Sequence, residues 1–509
     1  MKTFNRFHLA FRNIIFGVFL KGYQTLLPFF MRTLLIYTLG MEYVGLNGLF
    51  TSVLQILNLA ELGISQAMTY AMYRPIAEDD SDKICKLLGL YKKYYFYIGL
   101  AVGIIGLAFL PFLQSLISSD VPADLNIYVL YLLYLASTVI SYWMFSYKGS
   151  LLEAHQRNDI ISKIQIINLT IQSVLQIIVL IMWKNYYLYI IIQVLVQILN
   201  QCLIQIYTKK NYPYCYPKKE TDYSYKALVT SNIRDLAFAK FGYVVLTSSD
   251  TVIISSFLGL SVLAIYQNYY YLITAIIGFI STLMYGIIAS IGNSIVTETK
   301  EKNYDDFKTL TFIISWITAI CTCCFLCMFQ PFMELWVGAK YLFPFNMVIL
   351  FCIYFYIYEF NQLFNVYKDA AGLWHHDRFR PLITSLCNLI MNILLVNVIG
   401  IEGVLLSTVL SILIVGMPWL IHNIFTYLFK RNMNDYLFTI AQYVLVVLIS
   451  CILSHNISML CNVNLYFSLI IRLFIAVSIP SILYLVLFHK TTPFKNFMVL
   501  FFRILRRRH

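Results

Sequence analysis

The sequence predicts an all-α integral membrane protein with about 14 transmembrane helices. Of its 509 residues, 60% are hydrophobic and only 12% are charged, and the mean hydropathy is +0.74. These values lie well outside the usual range of soluble domains. The apolar segments are about 20 residues long, which is the length of a helix that crosses a bilayer. They lack the strict alternation of a transmembrane β-barrel.

The 14 apolar segments fall into two groups of six, followed by two more. A polar stretch with two prolines and five lysines separates the groups and is typical of a linker. The predicted organisation is an N-terminal lobe at 1–208, the linker at 209–226, a C-terminal lobe at 227–430, and two further spans with a basic tail at 431–509.

Lysine and arginine are distributed unevenly over the loops between these segments. Of the 37 in the chain, only Lys184 and Lys340 fall in loops on one side of the membrane. Short loops rich in Lys and Arg stay in the cytoplasm. We therefore expect both termini and the linker to be cytoplasmic.

Four cations lie well inside apolar segments, namely Lys21, Arg32, Lys240 and Arg472. A charge inside a bilayer span is costly and usually faces a water-filled cavity or a partner. Eleven residues make about three helical turns, so Lys21 and Arg32 lie on one face of the first span, roughly 16 Å apart. Arg472 is close to the outer end of the last span, where we expect it to snorkel to the surface.

The openings of the two lobes share an order of features, which predicts an internal repeat. Each has a basic–polar pair, a lysine close to a glycine, a charged residue deeper in the span, and a closing Leu-Gly. The first set is Arg12-Asn13, Lys21-Gly22, Arg32 and Leu39-Gly40, and the second is Arg234-Asp235, Lys240 with Gly242, Asp250 and Leu258-Gly259. Two pseudo-symmetric six-helix lobes of this kind are typical of transporters.

Polar residues at helical spacing form stripes on several spans. The stripe of span two is Asn47, Thr51, Gln55, Asn58, Glu61 and Ser65, and shorter ones include Asn168 with Gln176, Asn200, and Asn388 with Asn392. Such stripes either hydrogen-bond between helices or line a cavity. On spans one and seven they carry cations, which favours a cavity wall. A cavity lined by Lys and Arg suits an anionic ligand such as phosphate.

Three carboxylates inside predicted spans are candidates for ion coupling, namely Glu61, Asp250 and Glu359. A buried carboxylate is suited to take up and release a proton or a cation. The sequence leaves H+ and Na+ both open as the coupling ion. For Asp250, a salt bridge with nearby cations is an equally good interpretation. No cofactor is expected.

Several classes of function lack their signatures in this chain. There is no Walker motif, no HExxH pair and no basic soluble domain that would hold nucleic acid. Cys321, Cys323, Cys324 and Cys327 have no His, Asp or Glu nearby, so we interpret them as small buried apolar residues. His375, His376 and Asp377 are expected to be solvated in a loop. We therefore predict no catalytic residue, no metal site and no enzymatic activity.

The chain resembles the Wzx-type flippases of lipopolysaccharide and capsule repeat units in three long segments, 28–67, 231–270 and 368–395. That family belongs to the MOP superfamily, which also contains the MATE multidrug exporters and the lipid II flippase MurJ. The resemblance extends over spans one to twelve and is weak over the last two. It implies a two-lobed helical bundle in a bacterial cytoplasmic membrane.

The resemblance also implies a substrate. Such proteins move undecaprenyl-pyrophosphate-linked oligosaccharides to the outer leaflet by alternating access, for O-antigen or capsule biosynthesis. On this interpretation Lys21, Arg32, Arg234 and Lys240 contact the pyrophosphate. The expected partners are this substrate and membrane lipids, together with a polysaccharide polymerase and a chain-length regulator, and not nucleic acid.

Two alternatives remain open at this stage. One is a cation-coupled multidrug exporter of the same fold, against which the basic character of the predicted cavity argues. The other is a membrane-embedded polysaccharide polymerase or transferase. Short outer loops without paired carboxylates argue against that second alternative.

Overall fold

The structure, a computed structural model, is predominantly helical over the part of the chain that it describes. The described residues are 2–61, 64–118, 121–218, 241–242, 244–460 and 464–506. Within these ranges no residue lies in a β-strand. The chain divides into two compact units, Met1–Ala264 and Ile265–His509. The predicted lobe and linker boundaries remain predictions.

The described residues of the first unit form nine α-helices and the start of a tenth. They are α1 (Lys2–Thr38), α2 (Met41–Leu57), α3 (Ile64–Ala77), α4 (Ser81–Ala108), α5 (Ile127–Trp143), α6 (Tyr147–Ala154), α7 (Asn158–Met182), α8 (Tyr186–Asn211), α9 (Val244–Leu258) and α10 (Leu260–Gly286). Helix α1 packs along α7, where the Tyr23 and Thr170 hydroxyls are 2.7 Å apart.

The second unit contains the rest of α10 and ten further helices. They are α11 (Ile288–Thr297), α12 (Lys300–Val337), α13 (Phe345–Ala370), α14 (Trp374–Asp377), α15 (Arg380–Ile399), α16 (Ile401–Ser411), α17 (Met417–Asn423), α18 (Asn434–Met459), α19 (Leu465–Phe488) and α20 (Thr492–Arg506). Helix α12 is the longest and packs against α13, α18, α19 and α20. Short π-helical segments follow α16 and α17.

The helices are long and apolar enough to cross a membrane many times. Within the described residues nine helical segments meet this condition, and eleven do if two bent pairs each form one span. Large apolar side chains such as Leu195, Leu283 and Phe474 are exposed on the surface, which is where lipid would cover them. The chain is therefore a multi-pass membrane protein. A described helix overlaps each of the 14 predicted segments, but the count of 14 is not confirmed.

Short polar side chains begin several helices by accepting hydrogen bonds from free backbone N–H groups. Asn126 caps α5, Asn185 caps α8, and Asp80 accepts from the Lys83 N–H at 3.0 Å at the start of α4. The Lys83 side chain also binds Asp80, and together these bonds lower the pKa of that carboxyl from its ordinary value. Local sequence thus determines where these helices begin.

Two glycines of the predicted repeat occupy equivalent turns. Gly40 joins α1 to α2 and Gly259 joins α9 to α10, with φ angles of 126° and 91°. Residues with a Cβ rarely adopt these angles, which explains the glycine at the end of each Leu-Gly pair. The superposition of whole lobes remains a prediction.

The second predicted span is broken near its middle. Helix α2 ends at Leu57, and a 3₁₀ turn, Asn58–Glu61, follows before α3 begins. Helices α5 and α6 are likewise bent by 53° relative to each other. Such a break interrupts the i→i−4 backbone ladder and brings side chains of the turn to a position that a straight helix would not offer.

Helix α2 makes a very close approach to the start of α10 at Gly45. A Cβ placed on Gly45 would lie 2.3 Å from the Leu260 carbonyl oxygen. Beside it, the Ser261 hydroxyl donates to Glu42 at 2.8 Å. The absence of a side chain at position 45 is therefore a condition for this contact.

We expect Gly45→Ala to destabilise the protein by about 1–3 kcal/mol, because the added methyl collides with backbone that cannot turn aside. The melting temperature of the purified protein measures this. Gly149→Ala in α6 is the matched control, since a Cβ there meets nothing within 4 Å, and alanine is the better helix former. Equal melting temperatures for the two variants would contradict the close approach.

Candidate functional site

The two α1 cations that were predicted to face a cavity differ in their surroundings. Lys21 is exposed, whereas Arg32 is half-buried and its Nη2 lies 3.5 Å from the Ala264 carbonyl oxygen. Both residues are in one uninterrupted helix, so the predicted stacking of the two charges along one face is compatible with the structure. Arg234 and Lys240 lie outside the described residues, and their predicted role stays a prediction.

Glu61 is held by tyrosines from two neighbouring helices. Tyr95 of α4 donates to Glu61 Oε1, and Tyr142 of α5 donates to Oε2 at 3.0 Å. Tyr142 also lies 3.0 Å from Asn58 Oδ1, at the beginning of the same 3₁₀ turn. Tyr91, one turn before Tyr95, donates to the Tyr95 hydroxyl at 2.8 Å. The break in the second span is thus attached to α4 and α5 through one carboxylate.

These tyrosines were not among the residues predicted from sequence. All three are almost fully buried, with Tyr91 1%, Tyr95 4% and Tyr142 5% exposed. The spacing of Tyr91 and Tyr95 by four residues places them on one face of α4. The spacing of Tyr91 and Tyr95 was visible in the sequence. In a chain with 40 tyrosines, however, it does not indicate that they contact Glu61.

The polar stripes mostly bind helices together. Tyr134 of α5 donates to Asn47 at 2.5 Å, Asn168 of α7 donates to Asn200 of α8 at 2.7 Å, and Asn388 of α15 donates to Thr408 of α16 at 2.9 Å. Thr51 and Gln55, between the bonded positions of α2, are exposed. Hydrogen bonding between helices is therefore the main role of these stripes.

Asp250 and Glu359 are both buried, in different surroundings. Asp250 is 8% exposed on α9, among buried serines and threonines that include Ser248 and Thr251. Glu359 on α13 is completely buried, and neither carboxylate oxygen has a hydrogen-bond donor among the described residues. An ionised carboxylate without a partner is very costly to bury, which makes Glu359 an unusual group.

The segment after α13 exposes His375 and His376 as predicted, but it buries Asp377 in an ion pair. Arg380 donates to both oxygens of Asp377, at 2.6 and 2.9 Å, and Lys368 approaches the same carboxylate at 3.4 Å. Arg380 also donates to Asn365 of α13 at 2.9 Å. Asp377 is only 3% exposed. The expectation of a solvated side chain was wrong for Asp377 alone, because a bidentate arginine offsets the cost of burying its carboxylate.

Arg472, which we expected to snorkel to the surface, is hydrogen-bonded to its own helix and to α12. Its Nε donates to Ser468 at 2.8 Å, and its Nη1 donates to the Cys327 carbonyl oxygen of α12 at 3.2 Å. Arg472 therefore links α19 to α12. A backbone carbonyl that already belongs to a helix still has a free lone pair, and this accommodates the charge within the bundle.

The described residues contain no group of three His, Cys, Asp or Glu side chains that could hold a metal ion. Cys323 and Cys327 are buried on α12, and the Cys323 sulfur is 3.6 Å from that of Cys451 on α18. These cysteines pack as small apolar side chains between α12, α18 and α19.

The chain is similar to a known protein family in sequence and to solved structures in fold. A family model described as "Polysaccharide biosynthesis protein" matches residues 10–288, which is more than half of the chain. The chain belongs to that family. No curated protein has a significantly similar sequence. The matched region contains Glu61 with its tyrosines Tyr95 and Tyr142, and also Lys21 and Arg32.

Solved structures share the fold of this family member over most of its length. The lipid II flippase MurJ in an inward closed conformation has a TM-score of 0.66 at 15% identity, covering 94% of this chain and 99% of its own. An inward-facing MATE multidrug transporter of the MOP superfamily has a TM-score of 0.60 at 13% identity, covering 80% and 97%. A MOP-superfamily transporter from Pyrococcus furiosus has a TM-score of 0.54 at 13% identity, covering 82% and 94%. The predicted family resemblance and fold class are confirmed.

We expect Asp377→Asn to lower the free energy of unfolding by about 3–5 kcal/mol, because it leaves the buried Arg380 guanidinium without its counter-charge. The melting temperature of the purified protein is the measurement. Glu301→Gln breaks an exposed pair, in which Glu301 lies 3.2 Å from Arg431, and should change the melting temperature little. Similar shifts in both variants would show that the loop is not organised by the buried pair.

Proposed function

We propose that this protein is a flippase that moves undecaprenyl-pyrophosphate-linked oligosaccharide repeat units from the cytoplasmic to the outer leaflet, for O-antigen or capsule biosynthesis. The observation that supports this best is a fold shared with a lipid II flippase over nearly the whole chain, in a member of a polysaccharide biosynthesis family. The protein acts as a transporter and not as an enzyme. It resides in the bacterial cytoplasmic membrane with both termini inside, and it works beside a polysaccharide polymerase and a chain-length regulator.

The substrate's pyrophosphate determines which residues this function needs. An anionic group at mid-membrane depth is costly unless cations offset its charge. Lys21 and Arg32, on one helix, supply two such charges at separate depths. The exposed Lys21 is free to meet the substrate first, and Arg32 offers a planar fork to phosphate oxygens. Arg234 and Lys240 supply the equivalent charges from the second half of the repeat.

Arg32→Ala should reduce surface polysaccharide at least about tenfold, because one lost charge at mid-depth costs more than the 1.4 kcal/mol that corresponds to a factor of ten. Arg32→Lys should retain part of the function, since the charge survives without the bidentate fork. Immunoblotting of surface polysaccharide, normalised to protein level, measures both. Lys302→Ala, at an exposed α12 pair with Asp306, is the control.

The location of accumulated intermediates distinguishes the flippase from its rivals. In a deletion strain, complete repeat units on the lipid carrier should accumulate facing the cytoplasm. Single units that accumulate on the outer face would instead indicate a polymerase. A strain with normal polysaccharide but with increased drug sensitivity would indicate a multidrug exporter. Normal polysaccharide in an Arg32→Ala, Lys240→Ala double variant would contradict the proposed anionic site. The three outcomes in the deletion strain could still be distinguished from one another.

We further propose that Glu61 couples transport to a proton or cation gradient. Its carboxylate accepts hydrogen bonds from Tyr95 and Tyr142 and so attaches the break in the second span to α4 and α5. A proton or Na+ that binds this carboxylate competes with the tyrosine donors. Loss of the Tyr95 bond frees the 3₁₀ turn from α4, while the bond from Tyr142 to Asn58 still holds the turn to α5. Ion binding is thereby converted into a change in helix packing, which alternating access requires.

Glu61→Gln should leave the protein folded and uncouple it, because glutamine still accepts from one tyrosine but cannot bind a proton or cation. The measurement is transport of the lipid-linked substrate in proteoliposomes with an imposed H+ or Na+ gradient. The variant should lose the gradient-dependent part of the rate and keep the slow downhill part. Tyr142→Phe is the matched variant, which keeps the carboxylate and removes one donor. Gradient-dependent transport by Glu61→Gln would exclude Glu61 as the coupling group.

Two other carboxylates are weaker candidates for the same role. Glu359 has no described hydrogen-bond donor to release when it binds an ion, so its neutralisation has no direct link to helix packing. Asp250 is the predicted repeat counterpart of Arg32. Its substitution tests whether a second ion site operates in the same transport cycle.

A further inference from the structure

The final described helix, α20, has two very different faces. At about 100° per residue, Thr492, Lys495, Asn496, Val499, Arg503 and Arg506 fall within one arc of about 100°. The remaining positions are Pro493, Phe494, Phe497, Met498, Leu500, Phe501, Phe502, Ile504 and Leu505, all apolar. No other helix of the second unit separates polar and apolar residues so cleanly. This pattern is typical of a helix that lies in a membrane interface.

Helix α20 begins directly at the end of a membrane-crossing helix. Helix α19 ends at Phe488, and only His489–Thr491 separate it from α20. The Thr491 hydroxyl donates to the Phe488 carbonyl at 2.7 Å, which makes this connection a tight turn. A three-residue turn cannot carry α20 far from the end of α19. The helix therefore starts at the membrane surface.

Part of the apolar face packs against the protein. The Phe494 and Phe497 rings lie 6.0 and 6.5 Å from the Phe312 ring of α12, and Phe497 also contacts Trp316 at 5.8 Å. These residues belong to a core cluster shared by α12, α18 and α19. Asn496 adds a hydrogen bond to Thr309 at 3.3 Å. One side of α20 is thus fixed to the part of α12 that contains Thr309, Phe312 and Trp316.

The polar face carries charges of one sign, and the first part of it is open to the surroundings. Thr492, Lys495 and Val499 are exposed. From His489 to the end of the chain there are six lysines and arginines and no acidic residue, namely Lys490, Lys495, Arg503, Arg506, Arg507 and Arg508. Excess positive charge on a surface-lying helix matches the negative charge of anionic phospholipid headgroups.

We propose that α20 is a binding site for the anionic phospholipid headgroups of the membrane surface at which α19 ends. The helix lies along that surface with its cationic arc against the headgroups and its phenylalanines fixed to α12. Anionic lipid then stabilises the contact between α20 and α12. This proposal does not depend on which substrate the protein transports.

The test measures how phosphatidylglycerol stabilises the full-length protein in detergent at low salt. Phosphatidylglycerol should raise the melting temperature more than phosphatidylcholine does. In a Lys495→Gln, Arg503→Gln, Arg506→Gln variant the apparent affinity for phosphatidylglycerol should fall roughly fivefold per cation, on the order of a hundredfold in all. High salt should weaken the wild-type effect in the same way.

Two further variants make the result specific. Lys209→Gln, Lys210→Gln, Lys300→Gln removes the same number of exposed cations from α8 and α12, and it should keep the response. Arg503→Lys, Arg506→Lys keeps the charge and should also keep it. The proposal is overturned if the α20 triple variant responds to phosphatidylglycerol as the wild type does. It is equally overturned if the α8 and α12 control loses the response to the same extent.

Discussion

The constraint on which this structure depends is that a polar side chain inside a bilayer must find its partner within the protein. Backbone groups meet that requirement by forming helices, and the side chains meet it between helices. Among the described residues of the first unit, tyrosines often supply these contacts between helices. A tyrosine ring packs as an apolar side chain, while its hydroxyl reaches an amide or carboxylate on the neighbouring helix. Tyr134 reaches Asn47 in this way, and Tyr142 reaches both Asn58 and Glu61.

The same constraint explains why the second span is broken where it is. A 3₁₀ turn within a membrane exposes polar groups that an unbroken helix would satisfy. At Asn58–Glu61 the turn coincides with the two side chains that bond to α4 and α5. The break therefore remains compatible with the bilayer only while those bonds exist. Glu61 therefore joins the turn between α2 and α3 to both neighbouring helices.

Some of this could be predicted from sequence and some could not, for identifiable reasons. Helical class, membrane insertion and the turns at Gly40 and Gly259 follow from composition and local conformation, which are properties of short segments. The partners of Glu61 depend on which faces of α4 and α5 meet α2, and no local pattern determines that. The Asp377–Arg380 pair is an intermediate case. Its i,i+3 spacing was visible in the sequence, but burial of the loop against Asn365 was not.

Glu61 and Glu359 show that burial alone does not make a carboxylate a coupling group. Glu359 is the more deeply buried, yet no described donor depends on its charge, so a change in its ionisation has no direct mechanical consequence. Glu61 is less buried, but two helices are attached to it through hydroxyl donors. Ion binding shifts a conformational equilibrium only where the ion-bound and ion-free forms of the group make different contacts. By that criterion the hydrogen-bonded carboxylate at the helix break is better suited to drive a transport cycle than the isolated one in the core.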